Sequence, residues 1–481
     1  MAFQELWQLR AAFALSLSEM YGKEVPAYNT LVDVSTKVNE EFMAKEGAEA
    51  ERLGSIERVT AERHGAIRVG SPTEMAQVAR VFAAFGMYPV GFYDLRDASK
   101  SSVPVVSTAF RPVDADELAK NPFRVFTSML AADDPRFFDE DLQARLQDFI
   151  TQRTLFPQEL LALADKAAEQ GGLDDAEAAH LLELATAAFK LSDDPVDHAW
   201  YRELENISAV AADIGGVSST HINHLTPRVL DIDELYRQME ELGIKMIDEV
   251  QGPPAWEGPD ILLRQTSFRA LSEERIFKFE NGTVGPGTLR VRFGEVEQRG
   301  IALTPAGRIL YDQMLAETDR RLAESGGIRT DVAREVWRER LPNTERGLAE
   351  QGLAFFTYHL AEGAQAAAAE QAAGAETSVW DLVDAGHVVA EPIVYEDFLP
   401  RSAAGIFQSN LTGEGSRDDA QAGTDYDITV MEQIVGRPVH DPNELYAAQQ
   451  QASLDALSEA LKATVTADAH NPALSASATS N

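Results

Sequence analysis

Two histidines open matching phrases. His64-Gly-Ala-Ile-Arg68-Val69 recurs as His224-Leu-Thr-Pro-Arg228-Val229, with Arg four and Val five residues after each His. A helical pattern follows each phrase and stops at Gly86 in one and Gly243 in the other. Strand, helix, glycine turn and next strand are thus written twice, the mark of an internal repeat. If the copies pair, each offers one imidazole from its first strand to a shared metal site. A third ligand is expected from Phe293-Gly-Glu295-Val-Glu297-Gln-Arg-Gly300, where Glu295 and Glu297 fall on one strand face. Either carboxylate suffices. Two neutral imidazoles and a carboxylate on one side of an octahedral iron leave positions open for substrate and O2. The same set also suits zinc. The bland alternative is two buried histidines in unrelated strands and a solvated pair of glutamates.

On a strand, residues i and i+4 also share a face. Arg68 therefore stands beside His64, and Arg228 beside His224. A guanidinium grips a carboxylate with two parallel hydrogen bonds, which an ammonium does less well. A site that holds a metal and an anion together is the functional reading of each pair; an ordinary salt bridge is the structural one. His221 lies three residues before His224 and faces the opposite side, so it is expected to be structural or to support the ligands.

These groups need elements to position them. Residues 1–55 read as an N-terminal helical segment that packs over the first repeat, with Leu6, Leu9, Phe13 and Leu17 at helical spacing. Residues 56–112 form the first module. Its helix starts at Ser71-Pro72-Thr73-Glu74, with Ser as N-cap, Pro at the first position and Glu at the third. Residues 113–205 are Ala/Leu-rich and read as a helical insertion; His180 and His198 in it are assigned to surface or packing. Residues 206–327 form the second module, whose opening strand is broken by Pro227 and in which Gly287 to Glu297 reads as one strand. Residues 328–440 read as a helical segment followed by a site-completing loop. Residues 441–481 read as a last helix, broken at Asn471-Pro472, and a disordered Ala/Ser-rich tail.

Composition narrows the function. The 481 residues carry a formal charge of −36, from 78 acidic and 42 basic side chains. A chain this acidic repels phosphate backbones and anionic lipid, so no nucleic-acid or membrane partner is expected. The sequence has no cysteine. Thiolate metal sites, iron–sulfur clusters and a Cys nucleophile are excluded, and any metal must rest on His and carboxylate. No apolar run is long enough for a membrane span. The first residues lack a basic segment and a cleavage site, so a cytoplasmic protein is expected. Walker, G-x-G-x-x-G, H-E-x-x-H and G-x-S-x-G motifs are also absent.

At these residues the sequence resembles the vicinal-oxygen-chelate superfamily. Phe293-Gly-Glu295-Val-Glu-Gln298-Arg299-Gly300 is similar to the segment carrying the iron-binding Glu of hydroxyphenylpyruvate dioxygenases. Four motifs together resemble the 2-oxoadipate dioxygenase/decarboxylase family: Arg63-His64-Gly-Ala-Ile-Arg68, Ile222-Asn-His224-Leu-Thr-Pro-Arg228, Glu295 to Thr304, and Tyr395 to Phe407. The resemblance spans roughly residues 1–440. It implies an α+β fold in which paired βαβββ modules form a metal-holding half-barrel, with large helical insertions. It implies an Fe(II) enzyme that converts 2-oxoadipate and O2 to 2-hydroxyglutarate and CO2 in lysine catabolism. His64, His224 and Glu295 then hold the metal, which selects Glu295 over Glu297. Arg68 is the catalytic residue that grips substrate carboxylate, and His64, Arg401 and Ser402 also meet the substrate. In the family a Val stands where this chain has Arg401; a backbone contact survives that change and a side-chain contact does not. The partners implied are a small 2-oxo dicarboxylic acid and O2. Two other readings of such a chain are a zinc or nickel lyase or isomerase and a metal-free small-molecule binding protein.

Overall fold

The computed structural model describes residues 3–47, 59, 63–97, 103–289, 292–373, 376–400, 402, 406, 410, 417–418 and 420–467. The first module opens with strand β1, Arg63–Val69, which runs into helix α1, Pro72–Ala83. Ser71 caps the helix, accepting from the Glu74 amide at 3.3 Å. The Glu74 carboxylate reaches back past the cap to the Gly70 amide, 2.6 Å away, and is clamped by Arg153. Met75, Val78, Val81 and Phe82 make the buried stripe of α1. Strands β2 (Tyr88–Asp94), β3 (Val105–Arg111) and β4 (Arg124–Leu130) complete a βαβββ unit in sheet order β2-β3-β4-β1. β4 runs parallel to β1 and antiparallel to β3.

β4 corrects the sequence reading, which gave its residues to the helical insertion. Arg-Val-Phe-Thr-Ser-Met-Leu is buried along its whole length. A strand covered on both faces loses the polar–apolar alternation that advertises a strand.

The second module repeats the first. β5 (His224–Pro227) leads to α2 (Ile232–Glu241), capped by Asp231, which accepts from the Glu234 amide at 3.0 Å. β6 (Leu263–Ser267) and β7 (Glu295–Arg299) pair antiparallel. Met246 and Gln251 bridge to the outer side of β6, and Arg228 bridges in parallel to Glu297 on β7. Pro227 ends the β5 ladder, and the chain then crosses from β1 to β7. Asn39 fills the step, donating to the Arg228 carbonyl at 3.1 Å and accepting from the Leu230 amide at 2.7 Å. The stretch read as one strand from Gly287 to Glu297 is two. Val284–Leu289 belongs to a hairpin with Glu273–Lys278, and β7 begins at Glu295.

β1 and β5 pair antiparallel and join the two modules in one five-stranded sheet. His64 faces Thr226, Ala66 faces His224, and Gly65 faces Leu225. Because His64 and His224 are equivalent in the repeat, this register passes a pseudo-twofold axis through Gly65 and Leu225. The two first strands lie side by side, and both histidines point to the concave side. The α+β fold of paired βαβββ modules is therefore present.

The N-terminal helices, Leu6–Glu24 and Pro26–Glu46, span both modules rather than the first alone. Arg10 donates to the Phe85 and Asn121 carbonyls of the first, and the Tyr21 hydroxyl to the Asn223 and Phe293 carbonyls of the second. The stretch 113–205 supplies helices Glu140–Gln152, Gln158–Gln170, Asp175–Ala188 and His198–Glu205. His180 pairs with Glu159 at the surface, and His198 packs on Phe277 and Phe279.

A second core gathers Ile261, Ile301, Met314, Trp337, Phe356 and Leu457. It lies under helices Pro305–Ser325 and Pro442–Leu461 and a strand pair, Phe356–Leu360 with Val388–Pro392. That first strand falls within a stretch the sequence reads as helical. Among the described residues no helix is long and apolar enough to cross a membrane. Asn471-Pro472 and the Ala/Ser tail lie outside the described residues.

Candidate metal centre

His64, His224 and Glu295 converge. Each offers one ligand atom, and these atoms lie within 4.8 Å of one another. Glu295 Oε1 is 3.5 Å from His64 Nε2, and Oε2 is 3.3 Å from His224 Nε2. Ligand atoms at right angles around one divalent ion, each about 2.1 Å from it, stand about 3 Å apart. All three side chains are buried.

The electrostatics favour a cation between them. Burial, then the charges of His64 and Arg68, holds His224 well below its ordinary value, so its ring is neutral. Burial raises the Glu295 carboxyl, against the pull of His64. Burial lowers His64, but the carboxylates of Glu297 and Glu295 outweigh it and raise the group. Glu297 Oε2 lies 2.9 Å from His64 Nδ1, an ion-pair contact rather than an aligned hydrogen bond. That contact assigns the proton of a neutral His64 ring to Nδ1 and turns the Nε2 lone pair toward Glu295. Lone pairs facing a carboxylate in a water-poor pocket are costly unless a positive ion sits among them. The donor set, neutral imidazole and carboxylate with no thiolate, fits a divalent metal.

A layer of charge pairs fixes this arrangement. Arg299 binds Glu297 with both prongs, Nε to Oε1 at 2.7 Å and Nη2 to Oε2 at 2.9 Å. Its Nη1 donates to the Tyr395 and Asp397 carbonyls. Arg124 lies 3.6 Å from Glu297 and pairs with Glu396. Arg111 holds Asp397 with two hydrogen bonds, at 2.8 and 3.1 Å. The segment 395–398 is thereby pinned beneath the site. It sets the Phe398 ring edge-on to His64, with centroids 4.9 Å apart. Phe293 stacks on His224, centroid to centroid 5.2 Å.

Arg68 is close enough to depress His224, and it pairs with Asp213. Asp213 also meets His221 Nε2 at 3.2 Å and accepts from Asn223 Nδ2 at 2.8 Å. His221 thus supports Arg68 rather than the metal ligands. Arg68 therefore has the salt bridge of the structural reading and lies close to the His224 ring. Ser402 is buried; Arg401 lies outside the described residues. Both glutamates are used, Glu295 toward Nε2 of His64 and Glu297 toward Nδ1. Sequence reasoning missed Gln265, whose amide donates to Glu295, and Asp213. Nothing local marks either one. Their positions follow from the β6–β7 register and from the short helix Ala209–Gly215, which precedes the second opening strand.

Two βαβββ modules that bring two histidines and a glutamate together define a fold of the vicinal-oxygen-chelate type with a candidate metal site. Residues 13–410 match the model of the 2-oxoadipate dioxygenase/decarboxylase family, and the chain belongs to that family. It is 54% identical over 444 residues to the 2-oxoadipate dioxygenase/decarboxylase of Mycobacterium tuberculosis, covering 92% of this chain and 97% of the relative. The enzyme of that name from Pseudomonas putida is 43% identical over 466 residues, covering 94% and 97%. The crystal structure of hydroxyglutarate synthase from Pseudomonas putida in complex with 2-oxoadipate superposes with a TM-score of 0.81 at 40% identity, covering 96% of this chain and 99% of that one.

Proposed function

We propose that the chain converts 2-oxoadipate and O2 to 2-hydroxyglutarate and CO2, with Fe(II) held by His64, His224 and Glu295. The observation that carries this reading is the convergence of those three ligand atoms in a chain 54% identical to a 2-oxoadipate dioxygenase/decarboxylase. A bound ferrous ion supplies O2 activation and a chelation point for the keto oxygen and adjacent carboxylate of the substrate. Both oxygen atoms of O2 stay in the product: one enters the new carboxylate and the other the hydroxyl. The carbon–carboxylate bond breaks and CO2 leaves, so no second co-substrate is required.

The side chains orient this chemistry. Arg68, braced by Asp213, grips the substrate carboxylate bidentately and fixes the carbon chain. Fixing it matters because the second oxygen must reach one carbon of the same molecule. Glu297 holds the His64 ring in one tautomer, and Gln265 steadies the Glu295 carboxylate. Phe398 and Phe293 wall the ligands and keep water out. Ser402 and Arg401 flank the substrate in this reading, which also places the reaction in lysine catabolism.

The test is anaerobic purification, Fe(II) loading, and measurement of O2 uptake and CO2 release with 2-oxoadipate. Stoichiometric uptake and release are expected. Background uptake with every five- to seven-carbon 2-oxo diacid would overturn the proposal. Turnover without O2 on zinc or nickel would replace it with a lyase or isomerase. Ligand binding undiminished in His64→Ala and His224→Ala would leave a metal-free binding protein.

A further inference from the structure

The pseudo-twofold axis assigns a counterpart to every residue of the metal pocket. β1 pairs with β4 in parallel through Arg68 and Ser128. The chain after β5 pairs with β7 in parallel through Arg228 and Glu297. Arg68 and Arg228 are equivalent in the repeat, so Ser128 corresponds to Glu297. Two residues earlier on the same faces, Phe126 corresponds to Glu295.

Phe126 is buried and shares the concave face with His64, since it pairs with Ala66. Its ring packs on Phe398 at 5.0 Å and on Tyr93 at 5.3 Å. Phe398 in turn meets the edge of His64 at 4.9 Å. One module thus sends a carboxylate toward the shared pocket and the other sends an apolar ring at the matching position.

We infer that Phe126 is a positioning residue that withholds a fourth protein ligand and so keeps a position on the ion open for O2 beside a chelating substrate. The inference rests on the metal reading above and deepens it. A phenyl ring has no lone pair to offer. Held between Phe398 and Tyr93, it also denies water a hydrogen-bonded place on that side. A carboxylate there would close the pocket symmetrically, with two imidazoles and two carboxylates. Such a site would bind the ion more firmly and leave two octahedral positions, enough for a bidentate 2-oxo acid but with none left for O2.

The experiment compares full-length parent, Phe126→Glu, and Glu295→Ala with and without Phe126→Glu, using Co(II) as the spectroscopic ion. Affinity is read by chelator competition, coordination by visible absorption, and folding by circular dichroism. Phe126→Glu is expected to bind Co(II) about tenfold more tightly. Its visible bands should change to those of a four-protein-ligand site, and with Fe(II) and 2-oxoadipate bound its O2 uptake should fall to background. Glu295→Ala should lose Co(II), and Phe126→Glu in the same chain should restore it. If the glutamate variant does not fold, Phe126→Asn, smaller and uncharged, is read in the same way. Folded variants with parental affinity and spectrum, and no restoration in the double variant, would overturn the inference. A parent that binds no Co(II) would instead overturn the metal reading, and this one with it.

Discussion

Glu297 Oε2 lies 2.9 Å from His64 Nδ1, while Glu295 Oε1 lies 3.5 Å from Nε2 of the same ring. One imidazole is thus gripped on both sides by carboxylates two residues apart on β7, one also facing His224 and the other facing the arginines. Glu297→Gln keeps the shape and removes the charge that fixes the ring. Metal affinity should fall by about 10- to 100-fold. Chelator competition measures it. Unchanged affinity in the folded variant would show that the tautomer is set elsewhere.

Asp213 receives Arg68, His221 and Asn223 together, so the guanidinium is held by a carboxylate on the helix just ahead of the second opening strand. Asp213→Asn should raise KM for 2-oxoadipate by about tenfold, while bound iron stays at the parental level. Arg68→Lys should raise KM as well, because an ammonium gives up the bidentate grip. Steady-state kinetics with metal analysis on the same samples separates the two effects. A drop in iron content with KM unmoved would make Asp213 a support for the ligands instead.

The repeat made the site legible. His64 and His224 open equivalent strands, and the register Ala66–His224 sets them diagonally across one ladder. Periodicity alone carried that far, and the caps at Ser71 and Asp231 follow from local chemistry. Glu295 was readable only as one of a pair, since a strand face does not say which carboxylate meets the ion. β4 was hidden because burial on both sides erases alternation. Asp213 and the brace at 395–398 could not be seen, because their partners are brought together by packing across more than one module. The second core was blurred for the same reason: Phe356–Leu360 is a strand through its pairing with Val388–Pro392.

Arg111 and Asp397 form a buried pair that ties β3 to the brace, and the Tyr446 hydroxyl joins it. Burial alone would raise the Asp397 carboxyl, but Arg111 outweighs it and the group is depressed below its ordinary value. The sign follows. A carboxylate with a lowered folded pKa adds stability above its unfolded pKa of about 3.9, and that stability is lost as pH falls through the folded value. Urea midpoints of the metal-free protein should hold from neutral pH to about pH 5 and drop below about pH 4. Asp397→Asn should flatten the part of that drop due to this pair. At neutral pH it should cost about 3–5 kcal/mol, because Arg111 is left charged and buried. A variant with the parental acid slope would assign that slope to other carboxylates.

Ion binding should stabilise the half-barrel selectively. Without the ion, Glu295 faces the Nε2 atoms of His64 and His224 across 3.5 and 3.3 Å, so the folded state holds a buried cluster of three groups that unfolding would separate. A divalent ion binds that cluster only when it is assembled, so binding is linked to folding. At a free concentration one hundred times its Kd, the ion adds about 2.7 kcal/mol. The melting transition of the parent should therefore rise with Fe(II) under anaerobic conditions, or with Co(II) in air, and His224→Ala should abolish the rise. The core around Trp337 and Tyr311 is a separate cluster from the one that packs Phe293 and Phe398 against the two histidines. In a variant whose other four tryptophans are replaced by Phe, emission from Trp337 should therefore report a transition that moves less with the ion than the global unfolding followed by circular dichroism, when the two cores melt separately. Equal ion-induced shifts in parent and His224→Ala would place the ion somewhere other than between the two histidines.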